Sequence, residues 1–447
     1  MPTTDDPPRA GRAVTLDEAF AEAQALHRSG RIAPAHAIYV RILEAAPEHV
    51  SALHFAGVAA FQLGHAEDAT ALIEAALRLD PDYADAHNNL GNVLKRRGEI
   101  GRAREHYERA LALRPNDPDA LNNVGTLLRA EHRLEEALAA FEGVIALQPD
   151  HVEAHHNRGN VLIALGRDDE GLVEYQRALM LRPYDRNSYR QLGAAFYSTN
   201  RVEDAAEVYR RWLTLMPDDA EAKHMLAACT GEDVPPRASN DVVKLVFDTF
   251  AMSFDSVLAR LEYRAPALVA ETVRLVRGEA SADATVLDAG CGTGLGGPLL
   301  RPYAKRLVGV DISERMLDAA RARGSYDELV AGDLTTYLEG HAATYDLVTS
   351  IDTLVYFGDL APVVLGVVNA LTDSGNFVFS VERAEPADAP RGFRLNPHGR
   401  YSHTEGYVKE LLERSGLSAV TFREVVLRKE AGKPVPGYVV AAGRRAW

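Results

Sequence analysis

Two patterns of apolar and polar positions divide this chain. From Leu16 to Thr230 apolar residues recur three and four apart in paired segments, the spacing of one buried helix face. A representative pair runs over 87–98 and 100–113. From Asp241 onward the pattern changes to short apolar runs separated by amphipathic stretches. Those runs predict strands over 284–288, 306–311, 328–331, 345–351, 376–382, 420–427 and 437–442, with helices between most of them. Alternation of this kind predicts a parallel, doubly wound sheet that takes its ligand at the carboxyl ends of the strands. Only a polar turn around Ala431 and Gly432 separates the last two strands, as an antiparallel hairpin requires.

The helical half is periodic. Prolines fall every 34 residues at Pro47, Pro81, Pro115, Pro149, Pro183 and Pro217, and small residues keep the same step at Gly57, Gly91, Gly125, Gly159 and Gly193. Alanines follow it at Ala35, Ala69, Ala103, Ala137 and Ala205, with Gly171 standing in once, and Tyr107, Phe141, Tyr175 and Tyr209 repeat a large residue. Six units are expected, 16–49, 50–83, 84–117, 118–151, 152–185 and 186–219, closed by a helix over 219–230. Two helices and a proline per 34 residues is the tetratricopeptide signature. One unit cannot bury its own apolar face, so neighbours are expected to stack into a superhelix whose concave groove suits an extended peptide or a partner helix. Asn89, Asn123 and Asn157 occupy one position of the repeat, Gln191 follows, and Phe55 interrupts the series. This ladder resembles that of the O-linked N-acetylglucosamine transferase repeats, which implies a protein or peptide partner held by amides that both donate and accept. The other reading is that the amides bridge successive helices or meet water.

With 447 residues the chain exceeds what one core usually serves. The expected division is a disordered N-terminus over 1–15, repeats over 16–230, a linker over 231–240 marked by Gly231, Pro235 and Pro236, and a second domain over 241–447. A formal charge of -15 argues against a nucleic-acid or anionic-membrane binder, which needs a concentrated positive surface. Cys229 and Cys291 are too few for a disulfide framework and lack metal-ligand spacing, so a reducing cytoplasmic setting and no metal are expected. The first residues carry Asp5 and Asp6 where a secretory signal would be basic, and no apolar run is long enough to span a membrane.

The second half carries the chemistry. Val286-Leu287-Asp288-Ala289-Gly290-Cys291-Gly292-Thr293-Gly294 is an apolar strand that ends in an acid and a glycine-rich turn, where backbone can lie against a ligand with its amides turned inward. A GxGxxG string can be read at Gly292, Gly294 and Gly297, so a dinucleotide site must be weighed. Against it stand the acid two residues before the first glycine, the GxGxG alternation, and the distance of Gly292 from the strand. The second strand ends at Asp311, whose carboxylate suits a pair of ribose hydroxyls, and Gly332-Asp333-Leu334 follows the third. Taken alone, Asp333 reads as a helix cap.

This spelling resembles motif I of S-adenosylmethionine-dependent methyltransferases. The resemblance implies an all-α tetratricopeptide superhelix followed by an α/β class I methyltransferase domain, Rossmann-like with a seven-stranded sheet. It further implies S-adenosylmethionine as cofactor, held by Asp288, Gly290, Cys291, Gly292, Gly294, Asp311, Ile312, Met316, Asp333, Leu334 and Ser350. Met316 would lie beneath the adenine, though ordinary helix packing explains it equally. Residues 247–255 and 261–266 look like the helical lid of a bacterial group in which such a domain is fused to these repeats, a group that also shows a pattern like Gly399-Arg400-Tyr401-Ser402-His403. Methyl transfer is an in-line displacement that needs a base only if the acceptor arrives protonated. His403, Tyr401 and Asp352 are the candidates, and Arg264 and Arg400 are candidate clamps for an anionic acceptor. Two further readings stay open: a non-catalytic scaffold carrying a cofactor-binding module, and an enzyme acting on a small molecule while the repeats recruit or oligomerise.

Overall fold

A computed structural model describes residues 15–251, 254–430 and 432–444. Residues 1–14 of the expected disordered terminus, Met252 and Ser253 of the lid pattern, and Ala431 of the last turn lie outside the described residues. Two compact units divide the chain between Leu192 and Gly193.

The first unit is built from antiparallel helix pairs. Thr15 opens the first helix, Leu16–Arg28, with a capping box: its hydroxyl accepts from the Glu18 amide, and the Glu18 carboxylate accepts from the Thr15 amide. The third pair, Ala84–Arg96 and Ile100–Leu113, shows how the register works. A Cβ on Gly91 would stand 2.5 Å from the Tyr107 ring, so the small residue on the first helix is what lets the large one on the second lie flat against it. The turn inside each unit passes through a left-handed residue at Gly30, Gly64, Gly98, His132, Gly166 and Asn200, again one repeat apart. His132 and Asn200 hold positive φ without being glycine, which is why the sequence pattern is blurred there.

The second unit holds the sheet, with strands β1 (Ala284–Ala289), β2 (Ala304–Asp311), β3 (Glu328–Ala331), β4 (Tyr345–Ser350), β5 (Leu371–Arg383), β6 (Phe393–Leu395), β7 (Tyr401–His403), β8 (Leu417–Glu430) and β9 (Lys433–Arg444). β1 to β5 run parallel in the order β3-β2-β1-β4-β5. β9 joins β5 antiparallel, and β8 joins β9 antiparallel. All seven predicted strands are present. The hairpin β6–β7 was not predicted; it extends the sheet where β5 outruns β4, with Glu382 of β5 opposite Ser402. Because the chain goes from β1 outward to β3 and then crosses to β4, the sheet has its switch point between β1 and β4.

The stretch before the sheet is fastened rather than loose. Pro236 O accepts from the Gly358 and Asp359 amides, Ala238 N donates to Tyr356 O, and the Tyr401 hydroxyl donates to Pro235 O. Ser239 then caps the helix Asn240–Phe250. A residue series rich in proline and lacking apolar period reads as a linker from sequence; its carbonyls and amides are nonetheless spent on the core.

Candidate functional site

At the switch point a cleft of about 1290 Å³, its open mouth included, lies over the carboxyl ends of the strands. Asp288 enters from β1, Asp311 from β2 and Asp333 from just beyond β3. The glycine turn after β1 forms the floor. Gly290 sits at φ 81° with Thr353 where a Cβ would go, so no other residue fits this turn.

The turn's amides are not free. Gly290 N and Cys291 N donate to Val310 O at 2.8 and 3.0 Å, Gly292 N donates to the Asp311 carboxylate at 2.8 Å, and Gly294 N donates to Cys291 O at 2.9 Å. The expectation of inward-pointing amides is therefore corrected at these four positions. A pyrophosphate relies on such amides, so the dinucleotide reading loses its chemical basis.

Each acid has a distinct setting. Burial pushes Asp288 up to about 6, with the Asp311 charge adding and hydrogen bonds from Tyr326 (2.7 Å) and Thr349 (3.3 Å) opposing. Asp311 is also raised by burial, against the Ser313 and Gly292 amides that brace one oxygen each. The Ile312 amide adds to this bracing, and the carboxylate keeps acceptor capacity for hydroxyl donors. Asp333 caps the helix Leu334–Glu339 through one oxygen and pairs Arg237 through the other at 2.6 Å. Burial opposes its charge, but Arg237 and the cap bonds win and hold it below the usual carboxylate range.

Opposite the acids, the wall is aromatic and apolar: Phe247, Phe254, Leu258, Tyr263 and Tyr356. Phe247 meets Tyr356 edge-on at 5.3 Å. Asp255 accepts from the Thr293 hydroxyl and Asp248 from the Ser313 hydroxyl, both at 2.6 Å, tying these helices to the turn and to β2. The remaining end is a charge network. Arg428, 3 % exposed, donates to Asp352 at 2.8 and 3.1 Å, to Glu430 at 2.7 Å and to Glu382, while Arg400 bonds Glu382 at 2.9 Å and Glu430 at 2.6 Å.

The Methyltransferase domain family matches residues 287–379, from within β1 to within β5. Tetratricopeptide repeat families match 20–84, 56–118 and 106–139, and the Bacterial transcriptional activator domain family matches 142–227. The chain joins tetratricopeptide repeats to a methyltransferase domain. A probable S-adenosylmethionine-dependent methyltransferase of Mycolicibacterium smegmatis is 30% identical over 132 residues, 30% of this chain and 51% of that one. The 18S rRNA (guanine-N(7))-methyltransferase of Bos taurus is 39% identical over 69 residues, 15% of this chain and 25% of that one. The chain thus spans about half the length of the first relative and a quarter of the second. Among solved structures, the 1,6-didemethyltoxoflavin-N1-methyltransferase of Burkholderia thailandensis has 21% identity and a TM-score of 0.38, covering 48% of this chain and 93% of that one.

The residues of the methyltransferase domain fit S-adenosylmethionine, the cofactor of this class of domain: a braced carboxylate with acceptor capacity left for hydroxyls, a glycine floor whose amides at Gly290, Cys291, Gly292 and Gly294 are already engaged, and an apolar wall. Asp288, Gly290, Cys291, Gly292, Asp311, Ile312, Asp333 and Leu334 all line the cleft. Three residues expected there do not. Met316 is wholly buried in helix packing, Ser350 donates to Ala289 O at 3.1 Å to tie β4 to β1, and Gly294 packs against Ala320 and Tyr326. Their contribution is to shape the floor from beneath.

The expected catalytic set is corrected as well. Tyr401 and His403 lie on β7, fully buried and outside the cleft; the Tyr401 hydroxyl bonds Pro235 O and His403 Nε2 donates to Gly358 O at 3.1 Å. Their sequence reads as a loop before a helix, but it is an inner strand. Asp352 does line the cleft, with φ 56°, yet both oxygens are taken by Arg428. Arg400 reaches the cleft already paired with two carboxylates, and Arg264 is an exposed residue at a helix start that does not reach it. Sequence reasoning placed Tyr263 in the lid pattern but gave it no role, and it missed Arg237, Tyr356, Arg428 and Glu430, none of which sits in a local motif.

The repeat asparagines are likewise corrected. Asn123 donates to Asn88 and Asn157 to Asn122, at 2.9 and 3.0 Å, while Asn89 bonds His54 Nε2 at 2.8 Å. Their amide donors stitch one repeat to the one before, which is the structural alternative. Among the three, only Asn89 lines a hollow, with Phe61, Gln62 and Arg96. Among the described residues no helix is long and apolar enough to cross a membrane, and no cluster of three metal-ligating side chains occurs.

His403 gives a pH prediction. Burial pushes it down to about 4 from the ordinary histidine value of 6.5, so the folded state binds fewer protons than the unfolded state between those values. Stability is then expected to rise with pH across that window and to fall on acidification, by roughly 3 kcal/mol from this residue. Urea titrations at pH 4.5 and 7 should show the slope flattened in His403→Gln; an unchanged slope would contradict the assignment.

Proposed function

We propose that this chain is an S-adenosylmethionine-dependent methyltransferase whose repeats recruit a protein that is, or delivers, the methyl acceptor. The observation that supports it most is the convergence of Asp288, Asp311 and Asp333 on one glycine-floored cleft. When bound, S-adenosylmethionine supplies an electrophilic methyl on a sulfonium. The chain's part would be to orient it: Asp311 would hold the ribose hydroxyls, Asp333 the adenine amino group, and the glycine turn would leave room for the ribosyl and methionine portions against backbone. The lid wall of Phe247, Phe254 and Tyr356 excludes water from the transfer path. Arg428 and Arg400 hold Asp352, Glu382 and Glu430 fixed at the far end, so the acceptor meets a rigid polar surface. The repeat half supports recruitment because stacked units offer a long surface.

Calorimetric titration of the purified full chain with S-adenosylmethionine tests the cofactor reading, with one saturable site expected. Absence of heat and of any thermal shift at millimolar cofactor would refute it. Acceptor screening follows with the full chain, because cutting at residue 241 would remove Arg237, Ala238 and Asn240 from the cleft wall.

A further inference from the structure

The segment that leads from the last repeat helix to the sheet contributes three cleft residues, Arg237, Ala238 and Asn240, all upstream of the family-matched core. Arg237 is the most heavily tethered. Its guanidinium pairs the Asp333 carboxylate at 2.6 Å, donates to the Thr335 hydroxyl at 2.9 Å, bonds the Asn240 side chain, and lies 5.0 Å over the Phe357 ring. Its backbone forms an isolated antiparallel bridge with Phe357. Pro236 and Ala238 on either side are each bonded to the segment 356–359. A surface ion pair contributes little, but a planar guanidinium held by a carboxylate, a hydroxyl, an amide side chain and a ring has one geometry.

The consequence falls on Asp333. One of its oxygens is committed to the helix cap, from Thr336 N at 3.0 Å and the Thr335 hydroxyl at 2.8 Å. The other meets Arg237, and Asp333 lines the cleft, so this oxygen keeps acceptor capacity beyond the Arg237 bond. Removing Arg237 frees the second oxygen to rotate into water and detaches the strap's side chain from the wall. Burial opposes the charge on Asp333, and Arg237 together with the Thr336 and Thr335 bonds outweighs it; an ionised carboxylate accepts a hydrogen bond about twice as strongly as a neutral acceptor.

We infer that Arg237 is a cofactor-positioning residue: it fixes the acceptor oxygen of Asp333 and pins the strap 235–239 as a wall of the S-adenosylmethionine site. The inference rests on the cofactor reading above. It makes cofactor affinity depend on a residue that lies upstream of the family-matched core, in the segment after the last repeat helix. The strap is in turn held by β7 through Tyr401, and the loop before β7 accepts from His224 of the helix Ala220–Thr230, at Gly399 O and 2.8 Å.

The test is calorimetry of full-length wild type, Arg237→Ala, Arg237→Lys, Asp333→Asn and the double variant Arg237→Ala/Asp333→Asn with S-adenosylhomocysteine. Arg237→Ala is expected to weaken binding about tenfold, Arg237→Lys to recover part of that, and the double variant to be no worse than about threefold below the weaker single one, as for residues that act as a unit. Apo thermal midpoints within a few degrees of wild type separate positioning from unfolding. Wild-type binding with Arg237→Ala unchanged overturns this inference alone. So does a fully multiplicative double variant. Failure of wild type to bind at all overturns the cofactor reading instead.

Discussion

Asp311→Ala is expected to lower S-adenosylmethionine affinity at least a hundredfold. Its two oxygens are each braced by one backbone amide, from Gly292 and Ser313, so the carboxylate is preset, and on the proposed reading its remaining acceptor capacity would serve the ribose hydroxyls. Two hydrogen bonds from hydroxyls to a charged acceptor are worth about 1.5–3 kcal/mol each, and losing both accounts for that factor. The bracing has a second effect, since the same substitution releases Gly292 N. Asp311→Asn separates the two: it retains one acceptor oxygen with no charge, so intermediate affinity is expected. Calorimetry on both variants, with apo melting as control, measures the difference. Equal affinity of Asp311→Ala and wild type would mean the carboxylate only holds the turn.

Arg428→Met is expected to cost about 3–5 kcal/mol of stability, the range for removing one partner from a buried ionic cluster. Arg428 is 3 % exposed and answers Asp352, Glu382 and Glu430 at once; burial pulls its pKa down, but the three carboxylates outweigh that and hold it above its usual range. Arg400 still serves Glu382 and Glu430 in the variant, so Asp352 is the carboxylate left most exposed to the loss. Adding Asp352→Asn to Arg428→Met should therefore recover part of the stability, read as a return of the urea midpoint. If the double variant is less stable than the single one, the carboxylate is held by something other than this pairing.

What could be read from sequence was local. The 34-residue step, the acid and glycines after β1, and the carboxylates that close β2 and follow β3 lie within a few residues of a strand end, where period and turn chemistry have direct meaning. Arg237 and Asp333 are 96 positions apart and Asp352 and Arg428 are 76 apart, so neither pairing leaves a trace in a single sequence. His403 shows the opposite failure. A histidine between polar residues just before a helix reads as exposed, whereas the β6–β7 hairpin turns it inward against Gly358. The asparagine ladder was visible as a pattern, but only the partners Asn88, Asn122 and His54 decide that it bridges repeats.

The position of β8 and β9 in the chain has a consequence for biosynthesis. β5 takes β9 as its outer neighbour, and β8 carries the guanidinium that neutralises Asp352 and Glu382. While the ribosome is still short of residue 428, those carboxylates have been made and their counter-charge has not. Emergence of the intervening stretch takes about 4–15 s at ordinary elongation speeds. During that interval the helical repeats up to the closing helix, whose packing is between near neighbours in the chain, can already fold. The sheet must wait with one open edge on β5, so the nascent chain is most exposed to mispairing and to holding chaperones just before β8 and β9 emerge.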